Sequence, residues 1–437
     1  MNRMASDPHA AGGTFRALRE PNYRRYVLGA FVSNVGTWMA RVAQDWLVLV
    51  ELTDHSANAV GVTTALQFLP MLLLSPVAGV VADRFPKRRV LQWTQLAMLA
   101  VSGVQAALIL AGVVRLWHVF ALAFALGVAA AIDGPARQTF VSELVGPDLV
   151  SNAVGLNAAS FNASRLVGPG VAGLVIAAAG TGWAFAINSV SFVAFLVALA
   201  TLDPARLPPR PRAARGRGGI REGVRYVRRR PDLLLLIGIA FMLGTFGMNF
   251  QITMALMATT VFHRGPEDYG ALGSIMAAGS LAGALLVARM ARPRLRLILA
   301  ALAGFAVFSA AAGLAPSYAA FAALLVPTGL CAMSVMPACN ALVQLSVEPE
   351  VRGRVMAVYM AVFLGGTPLG SPLMGWIGDA WGARWTLLVG AAATGLTAVV
   401  AVAYVMRSAR LRLQLQRTRP YLAVRRITHQ MPLTHGD

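Results

Sequence analysis

The chain has 437 residues, of which 57% are hydrophobic and only 13% are charged. A soluble protein carries about 45–50% apolar and about 25% charged residues, so this composition excludes a soluble multidomain protein. The apolar content also excludes a disordered chain, and two cysteines are too few for a disulfide scaffold. A protein that crosses a membrane many times remains, and its formal charge of +20 must be explained within that class.

Twelve apolar segments are long enough to cross a bilayer, since a membrane-spanning helix needs about 20 residues. The residues before the first segment are polar and basic, without the apolar core of a cleavable signal peptide, so we expect the first span to be retained. The predicted spans are residues 26–50, 59–82, 90–113, 117–137, 150–178, 182–202, 233–261, 270–290, 297–315, 318–345, 354–377 and 385–406.

The basic residues follow the predicted topology. If both ends of the chain are cytoplasmic, 33 of the 38 lysines and arginines fall in the tails and inner loops, and only three fall in outer loops. Membrane proteins concentrate basic residues on the cytoplasmic side. The sequence therefore predicts a multi-pass protein of the cytoplasmic membrane with both termini inside, and it explains the positive charge without nucleic-acid binding.

The two halves of the chain resemble each other at a shift of 202 residues. Prolines and glycines recur at matching places in the fourth and fifth spans and in the tenth and eleventh. The matched pairs include Pro135 with Pro337, Gly168 with Gly370 and Gly173 with Gly375. A shift of six spans keeps both halves in the same orientation, so the sequence predicts an all-α membrane protein of twelve transmembrane helices in two parallel six-helix halves.

This pattern divides the chain into five parts. We predict a cytoplasmic tail over 1–25, bundles over 26–202 and 233–406, a basic linker over 203–232, and a basic tail over 407–437 that is disordered toward its end. The stretch 220–230 is predicted to form a short basic helix on the inner membrane surface. Its arginines favour anionic lipid headgroups, and docking of a protein partner is the alternative.

Two motifs resemble those of the major facilitator superfamily. The loop after the second span resembles its signature loop, with Pro86 in place of the usual second glycine; the matching residues are Gly79, Asp83, Arg84, Lys87 and Arg88. The fifth span resembles the antiporter motif of exporters at Gly168, Pro169 and Gly173, without the final paired glycine. Residues 15–18, 33–39 and 352–356 resemble the subfamily that contains the enterobactin exporter and macrolide efflux proteins.

The resemblance implies a central cavity lined by the first, fourth, seventh and tenth spans. It also implies an inner gate, in which Asp83 caps a helix of the second half in the outward-facing state. The arginines of the signature loop would then reach Asp133, which lies just before Arg137 at the inner end of the fourth span. The alternative is that these charges only determine topology.

Four polar side chains form one stripe along the first span. Asn34, Trp38, Arg41 and Asp45 are spaced by four, three and four residues, which places them on one helix face. Asp45 is the only acidic residue well inside a predicted span, and an ionisable group there is a candidate functional residue. Arg41 lies one turn away and can pair with it. Two hypotheses follow: proton or substrate coupling at Asp45, or a permanent ion pair that fixes the span.

Other polar residues within the spans are candidates to bind substrate in the cavity. For any single one we favour the alternative, a hydrogen bond between helices. Arg165 differs because a buried cation needs an anionic partner, either an acidic group of the substrate or Asp45. The candidates are Asn162 and Arg165 in the fifth span, Asn249 and Gln251 in the seventh, and Asn340 and Gln344 in the tenth.

The sequence lacks the motifs for nucleotide hydrolysis, metal binding and disulfide formation. The chain has no phosphate-binding P-loop sequence, and its histidines sit in tails and loops without metal-ligand spacing. Cys331 and Cys339 are eight residues apart on one predicted helix, too far to form a disulfide. We therefore expect free thiols, no metal, no cofactor and no enzymatic activity.

The predicted function is secondary active export of a small organic molecule, such as a drug, an antibiotic or a siderophore-like metabolite, by alternating access and proton antiport. A proton-coupled importer of a small nutrient on the same fold is the first alternative, and a non-transporting membrane receptor is the second. We expect a monomer whose partners are the small-molecule substrate, protons and anionic lipids.

Overall fold

The computed structural model describes residues 14–206, 220–290, 293–408, 411–415 and 422–426, and nearly all of them are helical. The helices of the first half are α1 (Pro21–Trp46), α2 (Ala57–Arg84), α3 (Lys87–Leu110), α4 (Leu116–Phe140), α5 (Val150–Ala179) and α6 (Thr181–Ala200). Those of the linker and second half are α7 (Ile220–Arg228), α8 (Pro231–Met242), α9 (Phe250–Leu256), α10 (Pro266–Ala288), α11 (Leu295–Gly313), α12 (Tyr318–Leu345), α13 (Pro349–Trp381) and α14 (Ala383–Ser408).

The twelve predicted spans are all present, with ends within five residues of the prediction. The first continues beyond α1 as a π-helix over Leu47–Leu52. The seventh consists of α8, α9 and two π-helical segments, Leu243–Gly247 and Met257–Val261. Eleven described helices are long and apolar enough to cross a membrane. The remaining one is α1, whose 26 residues suffice in length but carry the polar stripe.

Local sequence explains where the helices begin and end. The side chains of Ser56 and Ser317 accept backbone N–H groups in the first turns of α2 and α12, each at 3.3 Å. Proline occupies the first turn of α1, α8, α10 and α13, where its missing N–H costs no hydrogen bond. Gly180 and Gly382 end α5 and α13 at φ of +87° and +93°, a backbone conformation that favours glycine.

The linker and the C-terminal tail also contain secondary structure. The linker contains α7 as a short basic helix; it packs on α13 and is held by an ion pair of 2.6 Å between Glu222 and Arg354. The C-terminal tail, which we expected to be disordered toward its end, contains two short antiparallel strands, β1 (Leu411–Leu415) and β2 (Leu422–Arg426), and its end lies outside the described residues. Residues 207–219 of the linker lie outside the described residues.

The internal repeat is visible in how the helices pack. In the first half α2 packs on α4, and α3 packs on α4 and α6. In the second half α10 packs on α12, and α11 packs on α12 and α14. Each contact of the first half therefore has its counterpart six spans later, as parallel repeats require. The halves join through two further helix pairs, α2 with α13 and α5 with α10.

Glycines bring the two halves into backbone contact. A Cβ on Gly61 of α2 would lie 2.4 Å from the carbonyl oxygen of Ser371, and one on Gly375 of α13 would lie 2.5 Å from that of Ala57. In the other pair, a Cβ on Gly270 of α10 would lie 2.4 Å from the carbonyl oxygen of Pro169. Such small residues let membrane helices approach closely.

These contacts all lie at one end of the bundle. We call the end where α1 begins and α14 ends the near end, and the opposite one the far end. Gly61 lies in the far part of α2, whereas a Cβ on Gly79, toward the near end of the same helix, would have no other described atom within 4 Å. The same holds for Gly155 of α5 and Gly353 of α13. The halves meet at the far end and separate toward the near end.

A carboxylate reinforces the far end. Asp379, at the end of α13, accepts hydrogen bonds from the backbone N–H groups of Ala57 at 2.6 Å and Asn58 at 3.1 Å, and from the Ser56 hydroxyl at 3.1 Å. It thus caps the N-terminus of α2 in the other half of the molecule, where the positive end of the helix dipole favours a negative charge. We call this contact the far-end latch.

Replacement of Asp379 by alanine is expected to loosen the far end. Loss of an exposed helix cap costs about 1 kcal/mol, which corresponds to about a fivefold change in the population of the closed state. Spin labels on Asp54 and Trp381 should report a larger fraction of long distances across the far end. Asp268→Ala, which removes another far-end carboxylate, is the control, and an unchanged distance distribution in Asp379→Ala would contradict the prediction.

Candidate functional site

A cavity of about 230 Å³ lies between the two halves, on the near-end side of the far-end contacts. Helices from both halves supply its walls, with α1, α2 and α5 on one side and the seventh span, α10 and α13 on the other. The resemblance placed the fourth and tenth spans there as well, and neither contributes a described lining residue. Its surface is mostly aromatic and apolar. The lining includes Trp38, Arg41, Phe68, Arg165, Pro169, Met248, Asn249, Phe250, Gln251, Met254, Tyr269, Met276 and Phe363.

Two arginines share one tryptophan in this cavity. The guanidinium carbon of Arg41 lies 4.7 Å from the ring centre of Trp38 and 5.4 Å from that of Phe68. The guanidinium carbon of Arg165 lies 5.5 Å from the ring centre of Trp38. Cation–π contacts of this kind stabilise a guanidinium but leave its N–H groups free to donate. The predicted stripe of α1 therefore does face the cavity at Trp38 and Arg41.

Asp45 is bound to a residue that sequence reasoning missed. Its carboxylate is buried, with 3% of the residue exposed, and Oδ2 accepts a hydrogen bond of 3.0 Å from the Tyr269 hydroxyl of α10. The ring of Tyr269 also stacks on Trp46, with centres 6.3 Å apart. This hydrogen bond joins the first half to the second near the far end.

The ion pair between Arg41 and Asp45, one of the two hypotheses for this stripe, is not formed. In the described part of the chain no nitrogen of Arg41 lies within ion-pair distance of Asp45, although the two are one helical turn apart. The guanidinium lies over the aromatic rings instead, and its Nε is buried without a hydrogen-bond partner. Helical spacing permits an ion pair but does not require one, and Arg41 instead makes cation–π contacts with Trp38 and Phe68.

The predicted polar residues divide into two groups. Asn249 and Gln251 line the cavity, and Asn249 also binds α13, because its Oδ1 accepts a hydrogen bond of 2.8 Å from Ser371. Asn162 donates to a carbonyl of its own helix at 2.9 Å. Gln344 donates to Asn340 at 2.5 Å on the surface of α12. The described residues that line the cavity do not include Asn34, Asn162, Asn340 or Gln344.

The signature-loop residues bind within the first half. Lys87 forms an ion pair with Glu143, and Arg88 donates to the carbonyl of Ala200 at 2.8 Å. Arg84 ends α2, and the side chain of Asp83 lies outside the part of the chain that the structure describes. The resemblance implied that the arginines of the loop reach Asp133, but in the described part of the chain no hydrogen bond or ion pair joins them to it.

Asp133 has other partners. Its Oδ1 accepts hydrogen bonds from Thr94 at 2.8 Å and Gln95 at 2.9 Å, and its Oδ2 accepts one from Arg137 at 2.8 Å. The guanidinium of Arg137 also lies 4.5 Å from the ring centre of Phe195. Arg137 is one turn further along α4, so it forms the ion pair with Asp133 that was expected from a loop arginine. This network joins α3 to α4 and α6.

The antiporter-like motif lies where α5 meets its neighbours. A Cβ on Gly168 would lie 2.5 Å from the Cβ of Trp38, so this glycine allows α5 to pack on α1 beside the cavity. A Cβ on Gly173 would lie 2.6 Å from the carbonyl oxygen of Pro266 in α10. Pro169 lies between them and lines the cavity. The motif therefore forms both a wall of the cavity and a contact between the halves.

Known proteins share this sequence pattern and this fold. The family model described as "Transmembrane secretion effector" matches residues 12–421. The multidrug efflux pump Tap of Mycolicibacterium fortuitum is 28% identical over 393 residues, which cover 86% of this chain and 94% of the pump. Macrolide efflux protein A of Streptococcus pyogenes is 24% identical over 361 residues, which cover 78% of this chain and 87% of that protein.

A solved structure shows the same architecture. The bacterial homologue of the human lysosomal transporter Spinster superposes with a TM-score of 0.70 at 14% identity, and the match covers 90% of this chain and 98% of the homologue. The fold is thus that of the major facilitator superfamily, and the two relatives described above are efflux pumps. The chain belongs to the transmembrane secretion effector family and is a multi-pass membrane transporter of the export type.

Proposed function

We propose that this protein exports a small organic molecule in exchange for protons, with Asp45 as the group that carries the proton. The observation that supports this role is the hydrogen bond between Asp45 and Tyr269, which links a buried carboxylate of one half to the other half. A carboxylate accepts a stronger hydrogen bond when it is ionised than when it is protonated. The protonation state of Asp45 would therefore determine how firmly the far end is held closed.

The proposed orientation places both termini in the cytoplasm, on the basis of the distribution of basic residues. The near end then faces the cytoplasm, and the separated halves expose the cavity to that side. Transport would proceed by rocking of the two halves about the cavity, with the contacts at Gly61 and Gly270 opening as the near end closes.

The linker helix α7 supports a membrane-surface role. Arg221, Arg225 and Arg228 are exposed, whereas Val227 is buried against the bundle. With the termini in the cytoplasm, this basic surface would lie at the inner leaflet, where each arginine contributes about 1 kcal/mol to binding of anionic lipids. We propose anionic headgroups as its partners.

Replacement of Asp45 by asparagine is expected to abolish the response of transport to a pH gradient. The amide keeps the size of the side chain and accepts a hydrogen bond, but it cannot take up or release a proton. Inverted membrane vesicles are supplied with one of three dyes that share a fluorophore. Dansylate is an anion, dansylamide is neutral and dansylcadaverine is a cation. Gradient-driven uptake of the transported dye should fall about tenfold or more in Asp45→Asn, whereas exchange of dye without a gradient should persist.

Asp54→Asn is the matched control, because Asp54 is fully exposed in the loop that follows the first span. It should transport at the wild-type rate. Gradient-driven transport at the full rate in Asp45→Asn would refute the proposed coupling role. Uptake of dye by right-side-out vesicles, but not by inverted ones, would instead establish the importer.

A further inference from the structure

We propose that the transported molecule is an organic anion, with a carboxylate, sulfonate or phosphate group attached to a flat apolar body. This inference rests on the proposed function of the cavity as the transport site. It is carried by the two cavity arginines, Arg41 and Arg165, for which the described part of the chain offers no acidic partner at the cavity surface.

The charge of the cavity is positive and uncompensated at its surface. Among the described lining residues there are two arginines and no aspartate or glutamate. Asp45 is one helical turn from Arg41 and acts on its charge, but it forms no ion pair with it, does not lie on this surface and accepts the hydroxyl of Tyr269. A guanidinium held in a low-dielectric site without an ion-pair partner is costly, and charged groups inside a membrane protein mark the path of a substrate or an ion.

The hydrogen-bonding capacity of both arginines is largely unused. The Nε of Arg41 is buried and has no hydrogen-bond partner. Arg165 has a contact of 3.6 Å from Nη1 to the sulfur of Met333, and a thioether is a weak acceptor. Both guanidiniums lie within 5.5 Å of the ring centre of Trp38 and both residues line the same cavity, so a ligand bound there meets both. Two forked donors match the oxygens of a carboxylate, sulfonate or phosphate.

The rest of the surface fits an apolar ring system. Phe68, Phe250 and Phe363 line the cavity together with Met248, Met254 and Met276. Methionines adapt to the shape of a ligand, and aromatic rings stack on a flat one. A volume of about 230 Å³ lies just below the usual range of about 300–1,000 Å³ for ligand pockets and suits a compact body of the size of naphthalene.

The direction of transport agrees with an anionic cargo. An anion that leaves a cell moves down an inside-negative membrane potential, so the potential favours its export. A cation exported through the same cavity would have to pass two arginines and move against that potential.

Equilibrium binding to the full-length protein in lipid nanodiscs tests the inference. The probes are the three dansyl dyes, and their fluorescence anisotropy is measured without a pH gradient. Wild type should bind dansylate more tightly than dansylamide, and dansylcadaverine most weakly. Arg165→Gln should weaken dansylate binding about 10- to 100-fold, while Arg165→Lys, which keeps the charge, should retain most of it.

Two readouts separate loss of the site from loss of the fold. Arg165→Gln should bind dansylcadaverine at least as well as wild type, because a repelling charge has been removed. Arg115→Gln, a change at an exposed arginine outside the cavity, should leave all three affinities unchanged. Equal or tighter binding of dansylcadaverine than of dansylate by wild type would overturn the inference, and so would an equal loss of all three dyes in Arg165→Gln. Because no gradient is applied, failure of this test leaves proton-driven export standing, and failure of the transport assay leaves the binding result standing.

Discussion

Replacement of Asp133 by alanine is expected to lower the free energy of unfolding by about 3–5 kcal/mol, the usual cost of removing one partner of a buried ion pair. The carboxylate is buried and accepts hydrogen bonds from Thr94, Gln95 and Arg137. Its loss leaves the Arg137 guanidinium buried without a counter-charge and removes the oxygen acceptor of the Gln95 amide, whereas Thr94 keeps the carbonyl of Leu91 at 3.1 Å. Unfolding in mild detergent, followed by tryptophan fluorescence, measures the change.

A double variant makes this prediction specific. Asp133→Ala combined with Arg137→Met removes both charges and should recover much of the lost stability, since buried pairs can be replaced by apolar side chains at little cost. Asp148→Ala, at the exposed turn before α5, should change the free energy of unfolding by less than about 0.5 kcal/mol. If Asp133→Ala is no less stable than this control, the network does not stabilise the first half.

Replacement of Gly173 by valine is expected to force the far end open. A Cβ at this position would lie 2.6 Å from the carbonyl oxygen of Pro266 and 2.8 Å from the Cα of Glu267, and both are backbone atoms that cannot rotate away. Overpacking of this kind costs about 1–3 kcal/mol. Because the clash is between halves, that cost falls on the closed state, and the closed population should drop about 5- to 150-fold.

Spin labels on Ala179 and His263 report the separation of α5 from α10 at the far end. Gly155→Val is the control on the same helix: it carries the same change in helix propensity, but a Cβ there would meet no other described atom within 4 Å. It should leave the distance distribution as in wild type. A short far-end distance retained in Gly173→Val would show that the halves do not meet through this glycine.

Much of the fold could be predicted because the signals are local. Runs of about 20 apolar residues define the spans, and the prolines and glycines that recur after 202 residues define the repeat. The recurrence has a structural cause. Gly168 and Gly370 each pack on the first helix of their own half, while Gly173 and Gly375 each meet the other half. A side chain at any of these positions would collide with backbone or Cβ atoms.

The candidate site could be predicted only in part, because its decisive contacts are not local. The helical period of α1 places Trp38 and Arg41 toward the cavity, as found. No pattern in the sequence indicates that Asp45 would bind Tyr269, which is 224 residues away. The same is true of Asp379, which sequence reasoning did not single out; its partners on α2 are more than 320 residues distant.

Sequence distance also fixes an order of events during synthesis. The hydrogen bonds of Asp133 join residues at most 39 positions apart, so they can form once α3 and α4 have entered the membrane. The far-end latch joins Asp379 to Ala57 across 322 positions and must wait until α13 has been made. Since domains fold as units from the N-terminus onward, the first half is complete before the latch can close. The far-end latch, which the proposed transport cycle opens, therefore forms only after the first half is complete.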